Sequence, residues 1–293
     1  MHVADPWSRY WRSGQTHSCF SAAGAVDTQA IWTPIFAALP AGARLLDLAC
    51  GAGAVARMAL GAGRGFVVTG VDYATGLTPI EGARLIENTR LEALPFADRC
   101  FDAALSQYGF EYADAGAAAA QIARVLAPGG RLALLVHASE GPPVAAARAR
   151  LARARPLLAA GGLAQLTRRL GQAAAARQPT AALERQIIAA FQAAAALEQD
   201  ETTQWALGFL AEILNKRGAF PPAYLIDNAA TAIDEVSCYC HRLEAMTAAA
   251  MTQSGAEARA ARFSALGFAM APVIAARLGD GDLIGWILAG TKP

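Results

Sequence analysis

Residues 45–54, Leu-Leu-Asp-Leu-Ala-Cys-Gly-Ala-Gly-Ala, decide the fold of this chain. The apolar half has the length and composition of a buried β-strand, and the glycines after it predict a tight turn into a helix. A glycine turn leaves no side-chain bulk and exposes backbone N–H groups. The stretch therefore predicts a ligand site where the first strand of an α/β sheet meets its helix, around Asp47, Gly51 and Gly53.

The composition of the chain describes a compact protein with little net charge. Its 293 residues are 55% hydrophobic and 17% charged, which excludes a disordered chain and permits either one large domain with an insertion or two modest domains. The 25 Lys and Arg and the 24 Asp and Glu give a formal net charge of +1. Because no strong field attracts a polyanion, we expect no nucleic acid and no membrane as partner.

The amino terminus and the cysteines bear on the compartment. Residues 1–7 lack the basic and apolar regions of a secretory signal, and no uncharged apolar run approaches the roughly 18 residues of a membrane span. The five cysteines are odd in number and scattered, unlike a disulfide framework. We therefore expect a cytoplasmic protein.

Short apolar runs follow one another after Pro40, and helical or turn segments separate most of them. Each run has about the length of a buried strand. The alternation predicts a parallel sheet covered on both faces. The predicted strands are 43–50, 66–72, 83–89, 101–107 and 131–138.

A long stretch without strand signal interrupts this pattern. Residues 141–254 are alanine- and leucine-rich helical segments broken by Pro and Gly, which predicts an inserted helical subdomain. A helix over 256–266 follows, and then strands over 269–277 and 283–291. Because a Gly-Asp-Gly-Asp turn at 279–282 separates these strands, we expect an antiparallel hairpin that closes the sheet.

A carboxylate ends the second predicted strand. The run Val-Val-Thr-Gly-Val-Asp at 67–72 brings Asp72 beside the glycine turn, at the spacing typical of a ribose partner. A carboxylate can accept hydrogen bonds from both ribose hydroxyls. The alternative is that Asp72 caps the turn that follows it.

Four motifs stand in a fixed order: the glycine turn, the strand that ends at Asp72, Leu-Glu-Ala-Leu-Pro-Phe-Ala-Asp-Arg-Cys-Phe-Asp at 91–102, and Arg-Val-Leu-Ala-Pro-Gly-Gly-Arg-Leu at 124–132. Together they resemble class I S-adenosylmethionine-dependent methyltransferases, and the likeness is closest to the group that acts on small molecules. It covers roughly residues 40 to 140 and the terminal hairpin. The resemblance implies a Rossmann-like, seven-stranded, mostly parallel sheet and S-adenosyl-L-methionine as cofactor.

The resemblance also implies which residues line the cofactor. Two of them depart from the family pattern: Ala49 stands where relatives have their first glycine, and Arg90 where they commonly have an aspartate on the adenine amino group. Because arginine only donates hydrogen bonds, we expect the backbone of Leu91 to contact adenine instead. The implied set is Asp47, Ala49, Gly51, Gly53, Asp72, Tyr73, Arg90, Leu91 and Gln107.

The aromatic and polar segment at 10–20 is a candidate lid over the cofactor, with Tyr10 or His17 at the methionine end. Alternatively, it is a helix that is merely anchored to the core.

These patterns divide the chain into four expected parts. These are an N-terminal helical lid segment at 1–40, the cofactor-binding core at 41–140, a helical insertion that forms a substrate cap at 141–254, and a helix with the terminal hairpin at 255–293.

Methyl transfer from a sulfonium is an in-line displacement that mainly needs alignment. Residues 106–112, Ser-Gln-Tyr-Gly-Phe-Glu-Tyr, follow the fourth strand and emerge at the sheet edge where the methyl group would lie. We predict Gln107 and Tyr108 as positioning groups. Glu111 and His137 are candidates for a base, with a helix-entry cap and a hydrogen-bonded pocket histidine as the alternative interpretations.

Two further features have plainer explanations. Cys-Tyr-Cys-His at 238–241 lacks the second ligand pair of a closed zinc site, so we expect buried cysteines and no metal. The arginines near the start of the insertion form either a solvated helix face or an entrance for an anionic substrate. They are Arg148, Arg150, Arg153, Arg155, Arg168, Arg169 and Arg177.

The sequence thus predicts a methyltransferase that moves a methyl group to a small organic acceptor, on oxygen, nitrogen, carbon or sulfur. A nicotinamide-dependent oxidoreductase is one alternative, although Ala56 and Arg57 stand where its third glycine is expected and no Tyr-x-x-x-Lys pair is present. The other is a non-catalytic S-adenosylmethionine-binding scaffold, which Ala49 and Arg90 keep open. The oligomeric state is not predicted.

Overall fold

A computed structural model describes residues 6–15, 28–197, 200–279 and 281–293 of the chain. They form two compact units. The first comprises residues 1–145 and 246–293, and the second residues 146–245. His17, a predicted cofactor contact, lies outside the described residues.

Eight strands form one sheet in the described part of the first unit, in the order β3-β2-β1-β4-β5-β8-β6, with β7 also paired to β8. Strands β1 to β5 are parallel, and β8 runs antiparallel to β5. The predicted mostly parallel sheet with an antiparallel terminal hairpin is confirmed. The strands are β1 Arg44–Leu48, β2 Val67–Val71, β3 Ala83–Ile86, β4 Phe101–Gln107, β5 Leu126–His137, β6 Ala269–Met270, β7 Ile274–Arg277 and β8 Leu283–Thr291.

The predicted strand over 269–277 is two strands, which gives eight where the resemblance implied seven. Strand β6 pairs with the end of β8 and β7 with its beginning. Pro272 lies between them, and a proline has no N–H to give to a strand ladder. The chain therefore leaves β8 after β6 and pairs with it again in β7.

Apolar side chains cover both faces of the sheet. In β1, Leu46 and Leu48 belong to one core and Leu45 to the other, as expected for side chains that alternate along a strand. No helix follows β2, in agreement with the broken sequence there. The helices of this unit are α1 Pro6–Arg12, α2 Gln29–Ala37, α3 Ala54–Gly61, α4 Ala115–Val125 and α10 Gln253–Ala265.

Helix α4 begins at a side-chain cap and ends where β5 starts. The Asp114 carboxylate accepts a hydrogen bond from the Ala117 N–H at 2.8 Å, which caps the helix. The helix ends at Val125 and β5 follows at once. Gly129, with φ +75°, turns the chain in the irregular first part of that strand.

The second unit is helical throughout its described residues. Asp200 caps α8 by accepting hydrogen bonds from the N–H groups of Thr202 and Thr203. No described helix of the chain combines the length and apolarity needed to cross a membrane. That this insertion serves as a substrate cap stays a prediction. Its helices are α5 Pro142–Leu158, α6 Leu163–Ala175, α7 Ala181–Ala195, α8 Glu201–Asn215 and α9 Pro222–Ala249.

Candidate active site

The strand order reverses at β1, because the chain goes from β1 to β2 and β3 on one side and to β4 and β5 on the other. In open parallel sheets such a switch point leaves a crevice at the carboxyl ends of the strands, where ligands bind. A cavity of about 240 Å³ opens there. It is lined by residues that follow β1, β2, β3 and β4 and by residues of α1.

Most of the predicted site residues line this cavity. Tyr10, Asp47, Gly53, Glu111 and His137 are not among its lining residues. Those that are lining residues are Ala49, Gly51, Asp72, Tyr73, Arg90, Leu91, Gln107 and Tyr108. The lining residues that sequence reasoning missed are Trp7, Trp11, Thr28, Cys50, Ala52, Ala54, Thr89, Glu92, Gly109, Tyr112 and Ala113.

The two glycines of the turn have left-handed backbones, with φ +51° at Gly51 and +75° at Gly53. A Cβ on Gly51 would lie 2.5 Å from Cζ2 of Trp11. A Cβ on Gly53 would overlap the Ile80 side chain. Packing by Trp11 and Ile80 therefore requires glycine at both positions, and the ring of Trp11 lies against the main chain at Gly51.

Asp72 lies at the cavity wall and is nearly buried, with 8% of its surface exposed. Its Oδ2 accepts a hydrogen bond from the Gly51 N–H at 2.7 Å, and its Oδ1 accepts one from the Ala74 N–H at 2.8 Å. The carboxylate thus ties the glycine turn to the end of β2. Because each carboxylate oxygen accepts more than one hydrogen bond, both oxygens retain capacity for ligand hydroxyls.

Asp47 lies beneath the turn, where its Oδ2 accepts a hydrogen bond from the Ala56 N–H at 3.1 Å in the first turn of α3. Burial raises the pKa of this carboxyl from 3.8 to about 8, and the charge of Asp72 adds to the increase. The neutral acid is therefore the form that the fold favours. From its position, we infer that Asp47 stabilises the glycine turn by its hydrogen bond to the first turn of α3.

Asp47→Asn is expected to change how stability depends on pH. Between pH 3.8 and 8 the unfolded chain has released the Asp47 proton and the folded chain retains it. Folding is therefore progressively disfavoured as the pH rises through this window, by up to about 1.4 kcal/mol per unit. Urea unfolding at several pH values should show the wild type losing stability relative to the variant, and parallel pH profiles would contradict this.

Ala49 adopts a left-handed conformation, with φ +50°. This conformation suits the glycine that the resemblance implies at this position, since a side chain makes it costly by about 1–2 kcal/mol. Gly109, after β4, packs against it: a Cβ on Gly109 would lie 2.6 Å from the Ala49 Cβ. The methyl group of Ala49 therefore has room because Gly109 has no side chain.

One end of the cavity combines an aromatic ring, a cation and a free donor. The Arg90 guanidinium carbon lies 4.3 Å from the Tyr73 ring centroid, a cation–π contact. The Leu91 side chain is buried, and no acceptor among the described residues takes the Leu91 N–H. A flat ring with an acceptor nitrogen, such as adenine, fits this end.

The Gln107 amide stands at the end of β4. Its Oε1 accepts hydrogen bonds from the indole N–H of Trp32 at 2.6 Å and from the Thr28 hydroxyl at 2.8 Å. Trp32 is fully buried in α2. Gln107 is therefore held by residues that lie far from it in the sequence.

Tyr108 combines backbone strain with ring stacking. Its φ of +55° is rare for a bulky residue and is often found at functional sites. Its hydroxyl donates to the Ile284 carbonyl at 3.2 Å, and its ring stacks on His137 with a centroid distance of 4.1 Å. His137 thus lies behind a residue of the cavity wall.

The structure brings Glu111 and His137 together as a buried pair. Glu111 Oε1 accepts from the His137 backbone N–H at 3.0 Å and lies 2.8 Å from its Nδ1. Both side chains have 0% exposure. The pair connects the turn after β4 to the end of β5 and does not reach the cavity wall.

Three aromatic rings among the lining residues pack on one another. We call Trp7, Trp11 and Tyr112 the aromatic wall. Trp7 stacks on Trp11 with centroids 5.9 Å apart and meets Tyr112 edge to face at 5.8 Å. The spacing of Trp7 and Trp11, four residues apart on one helix face, is the sequence signal that could have identified them. Tyr10 packs on the same two tryptophans outside the cavity lining.

The donors and acceptors of the cavity fit the cofactor that the resemblance implies. Asp72 offers carboxylate oxygens for a ribose, and the Leu91 N–H offers a donor for a base. Burial raises the pKa of the Cys50 thiol, so Cys50 lines the cavity as a neutral group and not as a nucleophile.

Comparison with known proteins agrees with the cofactor that the resemblance implies. Residues 46–134 match the family model of a methyltransferase domain. Over 109 residues the chain is 42% identical to the demethylmenaquinone methyltransferase of Thermus thermophilus, which covers 34% of this chain and 48% of that protein. Over 54 residues it is 46% identical to the uncharacterized protein YafE of Escherichia coli, covering 18% of this chain and 26% of that protein. The chain thus spans about half the length of the first relative and a quarter of the second.

Among solved structures, an S-adenosylmethionine-dependent methyltransferase from Mesorhizobium loti is 25% identical, covers 41% of this chain and 56% of that chain, and superposes with a TM-score of 0.33. The fold itself follows from the strand order and register described above. The predicted resemblance is confirmed by the family match, which spans the glycine turn and the strands on both sides of it. Residues 46–134 therefore belong to the class I S-adenosylmethionine-dependent methyltransferases, whose cofactor is S-adenosylmethionine.

Proposed function

We propose that the protein transfers a methyl group from S-adenosylmethionine to a small, planar aromatic acceptor. The observation that carries the proposal is the make-up of one cavity. Asp72 and the Leu91 N–H offer polar partners for a nucleoside, and the aromatic wall offers an apolar surface for a second ring. Aromatic rings favour stacked and edge-to-face contacts with other rings.

Each part of the cavity has a proposed role. The bound cofactor supplies an electrophilic methyl group on a positively charged sulfur. Asp72 binds the ribose, Tyr73, Arg90 and the Leu91 backbone hold the adenine, and the turn from Ala49 to Gly51 supports the methionine end. Gln107 and Tyr108, at the end of β4, position the acceptor, because alignment is the main requirement of an in-line displacement.

The first relative supports an aromatic acceptor. Its name states that it methylates demethylmenaquinone, and a quinone-type ring is planar and largely apolar. The match covers 48% of that protein, and we propose that the shared part is the cofactor-binding core. A quinol or phenol is therefore the first class of acceptor to test.

Glu111 and His137 fit a positioning role better than a direct base role. Both side chains are buried and neither lines the cavity, and the ring of Tyr108, which does line it, stacks on His137. A base must come within hydrogen-bond reach of the proton that it removes. We propose that the pair holds the turn that carries Tyr108 and Tyr112.

The parts of the chain outside the core have proposed roles as well. Helix α1 contributes Trp7 and Trp11 to the cavity, which supports residues 1–40 as a lid. We keep the helical insertion at 141–254 as a proposed substrate cap.

Calorimetric titration and a methyl-transfer assay test the proposed function. We expect micromolar binding of S-adenosylmethionine and S-adenosylhomocysteine, and transfer of a labelled methyl group to a quinol or phenol in a panel that also contains amines and thiols. Binding of NAD alone would overturn the proposal in favour of an oxidoreductase. Binding of the two adenosyl compounds with no transfer to any acceptor would favour a scaffold.

Asp72→Asn is expected to weaken S-adenosylhomocysteine binding by about 1.5–3 kcal/mol, because a hydrogen bond to a charged group is lost. This corresponds to roughly 10- to 150-fold in the dissociation constant. Asp102→Asn is the matched control. Asp102 pairs with Arg44 at the opposite ends of the strands, so its replacement should leave the affinity unchanged. Equal affinities of the Asp72 variant and the wild type would remove Asp72 from the site.

A further inference from the structure

The orientation of the Gln107 amide follows from the chemistry of its partners. The indole N–H of Trp32 can only donate a hydrogen bond, and it lies 2.6 Å from Gln107 Oε1. A flipped amide would set an N–H against this N–H. Because Trp32 is fully buried, no solvent compensates for such a clash. The amide oxygen therefore faces α2.

The amide nitrogen of Gln107 is then the group that can hydrogen-bond to a ligand in the cavity. The two donors, Trp32 and the Thr28 hydroxyl, occupy both lone pairs of the oxygen. No acceptor among the described residues is hydrogen-bonded to Gln107 Nε2. Gln107 lines the cavity, so the wall presents an N–H donor with a fixed direction.

The strand register shows which part of the cavity holds this donor. Asp47 of β1 lies beside Leu105 of β4, so Gln107 comes level with Ala49. Asp72 follows β2, on the other side of β1. The amide is thus separated from the ribose partner by the glycine turn, and Tyr108 and Tyr112 follow it in the chain.

We infer that Gln107, held by Trp32 and Thr28, is an oxygen-recognising subsite for the methyl acceptor. It accepts a group with a lone pair and no hydrogen to donate at that atom, such as a phenolate or carbonyl oxygen. It disfavours an amine, whose N–H groups would face the amide N–H. Gln107 is the specificity-determining residue, and Trp32 and Thr28 are positioning residues. The inference rests on the proposed function.

The experiment measures binding of two matched probes, 4-nitrophenol and 4-nitroaniline, to the full chain saturated with S-adenosylhomocysteine, at about pH 8.5, where the nitrophenol is a phenolate that only accepts hydrogen bonds. The probes share one ring system and differ only in the polar group. We expect the wild-type complex to prefer the nitrophenolate by about tenfold, since a site that pairs its polar group rejects a ligand that leaves it unpaired. Binding of S-adenosylhomocysteine itself reports on the proposed function separately.

Gln107→Glu and Trp32→Phe are the decisive variants. A glutamate can accept from Trp32 and Thr28 as before but presents an oxygen to the cavity, so the preference should reverse. Trp32→Phe lies outside the cavity lining and frees the amide to flip, so the preference should fall toward one. A purely structural role of Trp32 would change both probes alike. Thermal unfolding of each variant verifies that it is folded.

Three results overturn the inference. The first is a wild-type complex that binds both probes equally or neither of them. The second is a Gln107→Glu variant that keeps the wild-type preference. The third is a Gln107→Glu variant with at least tenfold weaker S-adenosylhomocysteine binding, because the amide would then recognise the carboxylate of the cofactor. If the wild type binds no S-adenosylhomocysteine, it is the proposed function that fails.

Discussion

Replacing Glu111 by alanine is expected to lower the free energy of unfolding by about 3–5 kcal/mol, because two buried polar groups of His137 lose their partner, at about 1–3 kcal/mol each. Glu111 and His137 have fully buried side chains. Glu111 Oε1 accepts a hydrogen bond from the His137 backbone N–H and lies 2.8 Å from the ring Nδ1. Alanine leaves both groups without this acceptor and opens a cavity between β5 and the turn at 110–112. Urea unfolding at neutral pH measures the effect.

Two controls separate the pairing from the loss of volume. Glu111→Gln keeps the size of the side chain and one oxygen that can accept from His137, so it should cost less than alanine. Glu244→Ala breaks the exposed pair with Arg155, whose side chains are 61% and 40% exposed, and should cost less than about 1 kcal/mol. If the alanine variants of Glu111 and Glu244 lose the same free energy of unfolding, the buried pair stabilises the protein no more than the exposed pair does.

The same variant tests the proposed positioning role. His137 stacks on Tyr108, and the turn that contains Glu111 leads to Tyr112 of the aromatic wall. If the pair holds this turn, Glu111→Gln should weaken binding of an aromatic probe more than binding of S-adenosylhomocysteine. If Glu111 acts as a base instead, probe binding stays unchanged and only the rate of methyl transfer falls.

The core of the fold could be predicted from the sequence because its signals are local. An apolar run followed by glycines has one common structural meaning, and β1 with its turn lies where the run predicts. Asp72 directly follows β2, and parallel strands bring their carboxyl ends to one edge. For the glycine turn and Asp72, the place in the sequence motif is therefore enough to predict the place in the fold.

The rest of the candidate site depends on contacts between distant parts of the chain. Trp11 lies against Gly51, and Trp32 binds Gln107. Neither pair shares a sequence pattern, because such contacts arise from how helices pack on the finished sheet. Gly53 illustrates the limit: its motif position predicts a cofactor contact, whereas the structure gives a packing reason through Ile80.

Replacing Gly109 by alanine is expected to destabilise the protein by about 3 kcal/mol, near the upper end for overpacking of a core. The backbone of Gly109 has an ordinary φ of −137°, so the cost comes from contacts alone. The added Cβ would lie 2.6 Å from the Ala49 Cβ and 3.0 Å from the Ala49 carbonyl oxygen. Neither atom can rotate away, because both belong to a residue of the tight turn.

Ala49→Gly provides the matched rescue. Alone it should be nearly neutral: it removes the strain of a left-handed alanine, about 1–2 kcal/mol, but adds unfolded-state entropy worth about 0.4–1 kcal/mol. In the double variant the closest contact disappears, so the two changes should couple by at least about 1 kcal/mol. The carbonyl of residue 49 and the Ser106 hydroxyl, 3.1 Å from the new Cβ, leave part of the cost.

Urea unfolding of the four proteins measures this coupling, and strictly additive free energies would contradict it. The cycle also tests why the glycine turn tolerates an alanine where relatives have glycine. If coupling is found, the methyl group of Ala49 occupies space that Gly109 leaves open at the carboxyl end of β1. The departure at Ala49 is then compensated within the turn after β4.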